Sequence, residues 1–339
     1  MSAAAPHGAR RRARWWRPAL ALGLLAAVLV WVDPGRVGAV LARLDPWWWG
    51  AGLLSSTAAN VLSAWRWRDG AAWLGYSVPW RWAFVTYFRG VAANVVMPGA
   101  VVGGDVLRAW GLHRRGVPVL EAGVSVVLDR LSGLWGLVIL GAVVWGLGWI
   151  GGVPLPWEGA LARWLGLSPA WLGGAAWCAA VLAVAVPAAA LAITPWLAAR
   201  RAGWGSSPWR WWLTLAQHAP WRHGARQLIG SLAVQAASVT TLYCAAYAVG
   251  APLPWATLAI AAVPVFVFAT LPVGFGGWGT REAAAVLVLA PAGTEASHAA
   301  AIAVLYGLYP IAQSALALWP MGSSAADRPP APPTSAPHR

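Results

Sequence analysis

Seven charged side chains lie within or against apolar stretches of this sequence: Arg89, Asp105, Arg108, Asp129, Arg130, Arg281 and Glu282. Each costs on the order of 3 kcal/mol to place in hydrocarbon, so each needs a partner or a task. The guanidinium group offers parallel N–H donors in a fork that matches phosphate and carboxylate oxygens. Arg108, Arg130 and Arg281 therefore suit a lipid phosphate. Asp105, Asp129 and Glu282 suit the work of holding those forks in place and facing a cationic headgroup. Asp129 and Arg130 are adjacent and cannot share one helix face, so each requires its own partner. Asp105, Arg108, Arg281 and Glu282 are the available ones. Asp129 stands eight residues beyond Glu121, roughly 12 Å along a helix axis. The same charges also fit a salt-bridge network that pins elements together and binds nothing.

Two interrupted stretches carry most of these residues. The first runs Met97-Pro98-Gly99-Ala100-Val101-Val102-Gly103-Gly104-Asp105, with Arg108 after it. The second runs Leu271-Pro272-Val273-Gly274-Phe275-Gly276-Gly277-Trp278-Gly279-Thr280-Arg281-Glu282. In each, a glycine stands five residues after the proline, and an acid and an arginine follow close together. Paired broken segments in the two halves of a chain point to a transporter's midplane site. Glycine lets backbone N–H groups approach an anion, and a helix N-terminus after each break favours negative charge. Pro98, Gly103, Gly104, Pro272, Gly277 and Gly279 join the charged residues as candidate binding positions.

The elements that must hold these residues follow from composition. The sequence is 59% hydrophobic and 10% charged, against about 25% charged in soluble domains. Spans of about 20 apolar residues are needed to cross a bilayer. Candidates are 18–32, 47–64, 121–149, 170–195, 227–249 and 299–319. Two further regions are too interrupted to cross simply: 82–97, broken by Arg89, and 255–291, broken at Pro264, Pro272 and the glycine run. Trp47, Trp48 and Trp49, with Trp65 and Trp67, bracket one span as an interfacial aromatic belt does. Arg10-Arg11-Arg12-Ala13-Arg14 before the first span resembles a secretory or twin-arginine signal. Lacking a clear cleavage site and followed by more spans, it reads as the flank of an uncleaved helix.

All 24 basic residues are arginine, and they cluster between apolar runs. Under the positive-inside rule that places segment 1–17, loop 65–81, segment 106–120 and loop 196–226 in the cytoplasm. Loops 33–46, 150–169 and 250–254 fall outside. The pattern closes only if 82–105 returns to the cytoplasm and 255–298 returns outside; the alternative, eight plain crossings, would put Arg108, Arg114 and Arg115 outside. The expected fold is therefore all-α: a polytopic membrane helix bundle of about six crossing helices plus two re-entrant broken hairpins entering from opposite faces. Their tips should meet in the bundle interior, where irregular backbone is tolerated. Residues 1–17 form a basic cytoplasmic segment, 18–320 a single transmembrane domain, and 321–339 a Pro/Ala/Ser tail expected to be disordered.

The excess of arginine points to anionic lipid headgroups; no nucleic-acid module is legible. Cys178 and Cys244 read as buried thiols in apolar runs, without disulfide or metal spacing. His218 and His223 sit in a basic loop and read as a solvated face. Gly274 to Gly279 matches G-x-G-x-x-G but lacks a βαβ context, and no G-x-S-x-G, H-E-x-x-H or P-loop is present. With no nucleophile–base pair or metal set, enzyme activity is not expected, and no cofactor is implied.

Taken in order, Asn94-Val95-Val96-Met97-Pro98, Gly103-Gly104-Asp105 with Arg108, Ser125 to Gly133 containing Asp129-Arg130, Leu271-Pro272 through Gly277, Gly279 and Arg281-Glu282, and Ala301 to Tyr309 resemble a known family. It is the transmembrane domain of lysylphosphatidylglycerol synthases and its stand-alone, flippase-like relatives. The resemblance spans about Trp47 to Trp319 and adds Asn94 to the candidate binding residues. Asp129 stands where that family leads one to expect Glu. Bifunctional members add a cytosolic aminoacyl-transfer domain that charges phosphatidylglycerol with lysine. The resemblance here implies the lipid-translocating half. The expectation is a flippase-like, multi-pass protein of the bacterial plasma membrane with both termini cytoplasmic. Its partners would be membrane lipids and a separate lipid-modifying enzyme. The alternatives are a secondary transporter of a small solute and a non-transporting lipid-binding membrane subunit.

Overall fold

The computed structural model describes residues 33–96, 102–152, 156–159, 166, 168–200, 210–270 and 277–318. The expected first span, the basic segment before it, the tail, Pro98, Pro272 and both hairpin tips lie outside these residues. Within them the chain is helical, with no strand. The helices are α1 (Pro34–Ala42), α2 (Pro46–Trp73), α3 (Trp80–Val96), α4 (Val102–His113), α5 (Val119–Ile150) and α6 (Pro169–Arg200). They continue with α7 (Arg210–Gln217), α8 (Pro220–Ala248), α9 (Trp255–Ala269), α10 (Thr280–Leu289) and α11 (Ala296–Gln313).

Among the described residues, four segments are long and apolar enough to cross a bilayer: Val119–Ile150, Trp171–Trp196, Pro220–Ala248 and Ala296–Ala317. The chain is thus a multi-pass helical membrane protein. Helix α2 runs beside α8 in the opposite direction. The Asp45 amide donates to the Ala248 carbonyl at 2.9 Å at one end of the pair, and His223 Nδ1 lies 3.1 Å from Asp69 Oδ2 at the other. The main core gathers between α8, α9 and α11 around small residues such as Ala245, Ala261, Ala299 and Ala300, with Tyr309 fully buried among them. Small side chains let helix backbones approach closely, the usual packing device in lipid.

Two helical hairpins interrupt this bundle. Helices α3 (17 residues) and α4 (12 residues) are about 25 and 18 Å long. Helices α9 (15 residues) and α10 (10 residues) are about 22 and 15 Å long. All four fall short of the ~30 Å hydrocarbon core. Along the first hairpin, a Cβ on Gly111 would contact Trp82, and one on Gly104 would meet the Gly90 carbonyl at 2.3 Å, so α3 and α4 run antiparallel in close contact. Its open end packs Val78, Leu112 and Val117 around Trp67, beside the Tyr76–Glu121 hydrogen bond. The second hairpin opens at the other end of the α2–α8 pair, where Trp157 Nε1 donates to the Val288 carbonyl at 2.6 Å and α9 follows directly on α8.

Several expected boundaries move, each for a physical reason. Arg89 does not break α3, because a helix ladder tolerates a charge whose head reaches a partner. Its Nε donates to the Ala317 carbonyl at 3.4 Å. Pro264 does not break α9; its missing N–H removes one ladder bond, and packing carries the helix through. Loop 65–81 is helical to Trp73, since nothing between Gly52 and Gly70 stops a helix, and the turn comes at Gly75 with φ +91°. Segment 106–120 is helical to His113, and loops 33–46 and 196–226 contain α1 and α7. Trp67, expected in an interfacial belt, is 1% exposed and belongs to the core. Cys178 is exposed, so only Cys244 is the buried thiol expected. His223 is no solvated loop residue: it sits in α8, paired with Asp69 and stacked on Trp73.

A buried ion network as candidate functional site

The charges of α2, α4 and α5 meet beneath the first hairpin. Asp129, in the N-terminal half of α5, accepts from two arginines. Arg66 binds Oδ1 through Nε at 3.0 Å and Nη2 at 2.8 Å, and its Nη2 also reaches the Asp129 carbonyl at 2.9 Å. Arg108 binds Oδ2 through Nη1 at 2.8 Å. The other Arg108 nitrogen, Nη2, donates to Asp105 Oδ1 at 2.7 Å. Asp105 in turn accepts from Arg130, through Nε at 2.9 Å to Oδ2 and Nη2 at 2.7 Å to Oδ1. The chain of ions thus runs Arg66, Asp129, Arg108, Asp105, Arg130.

Small residues make room for it. A Cβ on Gly133 would stand 3.1 Å from Arg66 Nη2. On Gly104, a Cβ would also press on the Asn94 amide at 2.8 Å, and Asn94 Oδ1 accepts the Gly104 N–H at 2.6 Å. Gly103, next to it, is half-buried in the first turn of α4. Ser231 accepts from Arg66 Nη1 at 3.0 Å, and Arg108 lies 4.7 Å from the Tyr87 ring and 5.4 Å from the Trp67 ring. The two buried guanidinium groups, Arg66 and Arg108, are thus met by oxygen atoms and, for Arg108, by aromatic surfaces, as burial of a cation requires.

Exposure grades along the chain. The side chains of Arg66, Asp129 and Arg108 are 5%, 3% and 3% exposed, Asp105 is 21% and Arg130 is 38% exposed. One end of the network is sealed and the other is open.

Arg281 and Glu282 do not join this network; they form a second site in the other hairpin. Arg281 Nη2 lies 2.6 Å from Glu282 Oε1, beside Trp278 at 4.9 Å and Tyr306 at 5.9 Å. Glu282 Oε2 accepts the Gly279 N–H at 2.5 Å and so caps α10. Gly277 and Gly279 take φ of +82° and +87°, and a Cβ on Gly277 would meet the Ala269 carbonyl at 2.8 Å. The expected single cluster is therefore two. The reason is positional: α4 reaches α5 near one end of the bundle, whereas α10 packs on α11 in the other half.

Arg66 was missing from the candidates because the loop count placed it in solvent. Asp69 was missed with it: it is 7% exposed and meets His223, Arg226 Nη1 at 3.4 Å and Gln227 Nε2 at 3.3 Å. The uninterrupted helix-forming stretch from Leu53 to Asp69 was the signal that could have placed both inside. Among the described residues no group of three or more His, Cys, Asp or Glu is arranged to hold a metal ion.

The stretch that carries both hairpins and the ion network matches a known family. The description of the lysylphosphatidylglycerol synthase transmembrane region matches residues 18–317. The chain belongs to that family. No curated protein matches the sequence. The family match takes in α1 to α11 and both hairpins, so the ion network lies wholly inside the lysylphosphatidylglycerol synthase transmembrane region.

Proposed function

We propose that this chain moves a lipid between leaflets and engages the anionic part of the headgroup at the Asp105–Arg130 end of the network. The observation that carries it is the charge balance joined to the exposure gradient. Among the described residues, Arg66, Arg108 and Arg130 form ion pairs only with Asp105 and Asp129, which leaves one positive charge unmatched. Unmatched charge in a low-dielectric setting is costly, and an anionic ligand relieves it. Arg130 is the member open to such a ligand, held by Asp105 in one orientation. A phosphate or phosphate-linked headgroup is the anion that a bilayer supplies. The sealed Arg66–Asp129–Arg108 portion then serves as the frame that fixes Asp105.

The test is flipping of labelled lipids in liposomes reconstituted with purified protein, comparing anionic, zwitterionic and glycolipid reporters. Wild type should move at least one reporter, and Arg130→Ala, folded to the same degree, should lose most of that movement. A wild type that moves none of them, or an Arg130→Ala variant that moves them equally well, would overturn the proposal. Uptake of a soluble anion by the same liposomes would favour the solute-transporter alternative.

A further inference from the structure

The wall behind the network borders an apolar slot between α5, α6 and α8, with a volume of about 490 Å³. It is a consequence of Pro187. Proline cannot donate to the carbonyl four residues back, which is that of Ala183. Trp135 Nε1 of α5 donates to the Ala183 carbonyl instead. There α6 is pinned to α5, and beyond Pro187 it leans against α8, where a Cβ on Gly224 would stand 2.4 Å from Leu191 Cδ1. Between these two contacts the helices part and leave the slot, lined by residues such as Leu128, Leu131, Ala190 and Leu228.

Its surroundings say what fills it. The outward face of α6 carries exposed Val181, Leu182 and Ile193, and an 18-residue window within Trp171–Trp196 has mean hydropathy 2.3 with 11% of it buried. This helix stands in hydrocarbon. A void open to hydrocarbon forfeits its dispersion contacts unless a chain enters. A helix is 10–12 Å across with its side chains, too wide for a slot whose two walls touch at Leu191 and Gly224. We infer that the α5–α6–α8 slot is a binding site for one acyl chain of a membrane phospholipid. It is distinct from the Asp105–Arg130 headgroup site and rests on the membrane placement of α6, independently of lipid movement. Arg130 and the slot-lining Leu128 and Leu131 lie on different faces of α5, so the tail held here is not that of a headgroup at Arg130. Ser231 ties the two regions together, lining the slot while accepting from Arg66. A resident chain would thereby stiffen the wall behind the ion network.

The experiment reconstitutes the full chain in nanodiscs of phosphatidylglycerol and phosphatidylcholine. A small fraction of the lipid carries a diazirine at the end of one acyl chain, and crosslinked residues are mapped by mass spectrometry. Crosslinks should concentrate on Leu128, Leu131 and Leu228 several-fold above the freely exposed Leu182 and Ile150. Ala190→Trp, which fills the slot, should abolish that excess and leave Leu182 labelled, whereas Leu182→Trp should preserve it. Should Ala190→Trp fail to fold, Thr194→Trp fills the other end of the slot and is read in the same way. Labelling that merely follows exposure, or an excess that survives slot filling, would overturn the inference. So would an excess competed away by a polycyclic lipid but not by unlabelled phospholipid. Loss of lipid flipping in Arg130→Ala with the crosslink pattern intact would bear only on the proposed function.

Discussion

Replacing Arg66 by alanine tests whether the ion network holds the bundle together. The side chain makes four hydrogen bonds that join α2 to α5 and α8: three to Asp129 and one to Ser231. It is 5% exposed and Asp129 3%, so water does not replace what is lost. Removing one partner of a buried pair costs about 3–5 kcal/mol, because the remaining charge stays buried with less compensation. Arg108 still binds Asp129 and limits the loss to the lower part of that range. At about 2–4 °C per kcal/mol, the melting temperature should fall by on the order of 10 °C. Intrinsic fluorescence of the purified protein in detergent, with 28 tryptophans as the signal, reads the transition directly. Arg66→Lys keeps the charge and loses the two-pronged geometry, so it should fall between wild type and Arg66→Ala. Arg36→Ala is the control. Its contacts to Asp33 and Glu295 are 3.5 and 3.6 Å and 69% exposed, worth about 0–1 kcal/mol. An Arg66→Ala protein that melts with the Arg36→Ala control would refute the claim that this network fastens α2 to α5.

Two further outcomes follow from the hairpins. Gly104→Val should lower the yield of folded protein, since any Cβ there meets the Gly90 carbonyl at 2.3 Å and the α3–α4 backbones must part; overpacking of this kind costs about 1–3 kcal/mol. Gly123→Ala, with nothing within 4 Å of its Cβ, should be neutral or gain up to about 1 kcal/mol, and size-exclusion recovery distinguishes the two. Glu282→Ala should destabilise the second hairpin by roughly 3 kcal/mol or more, because it uncovers buried Arg281 and uncaps α10 together. Faster amide hydrogen exchange confined to α9 and α10 checks this, and equal exchange in wild type and variant would refute it.

Much was legible in the sequence because the solvent was. Only helices or a closed barrel satisfy backbone polar groups in a bilayer, long continuous apolar runs select helices, and proline-glycine interruptions mark where a helix cannot continue. The helical fold, the two hairpins and the need of Asp129 and Arg130 for separate partners follow from that constraint and from the cost of lone charges. Hydrophobicity counts go astray where a polar residue is buried by its neighbours. Arg66 and Asp69 look like loop residues because nothing in their own stretch shows that α5 and α8 will cover them.

The sequence by itself determined which residues must sit in lipid and which charges need company, because transfer cost depends on residue type and local run length. Only the tertiary structure decided which company each charge keeps. Arg66 reaches Asp129 across 63 positions and Ser231 across 165, and such distances are set by helix packing. The same packing separated Arg281 and Glu282 from the first network and opened the slot beside Pro187. A residue's partner depends on which helix faces meet, and that is a property of the whole bundle.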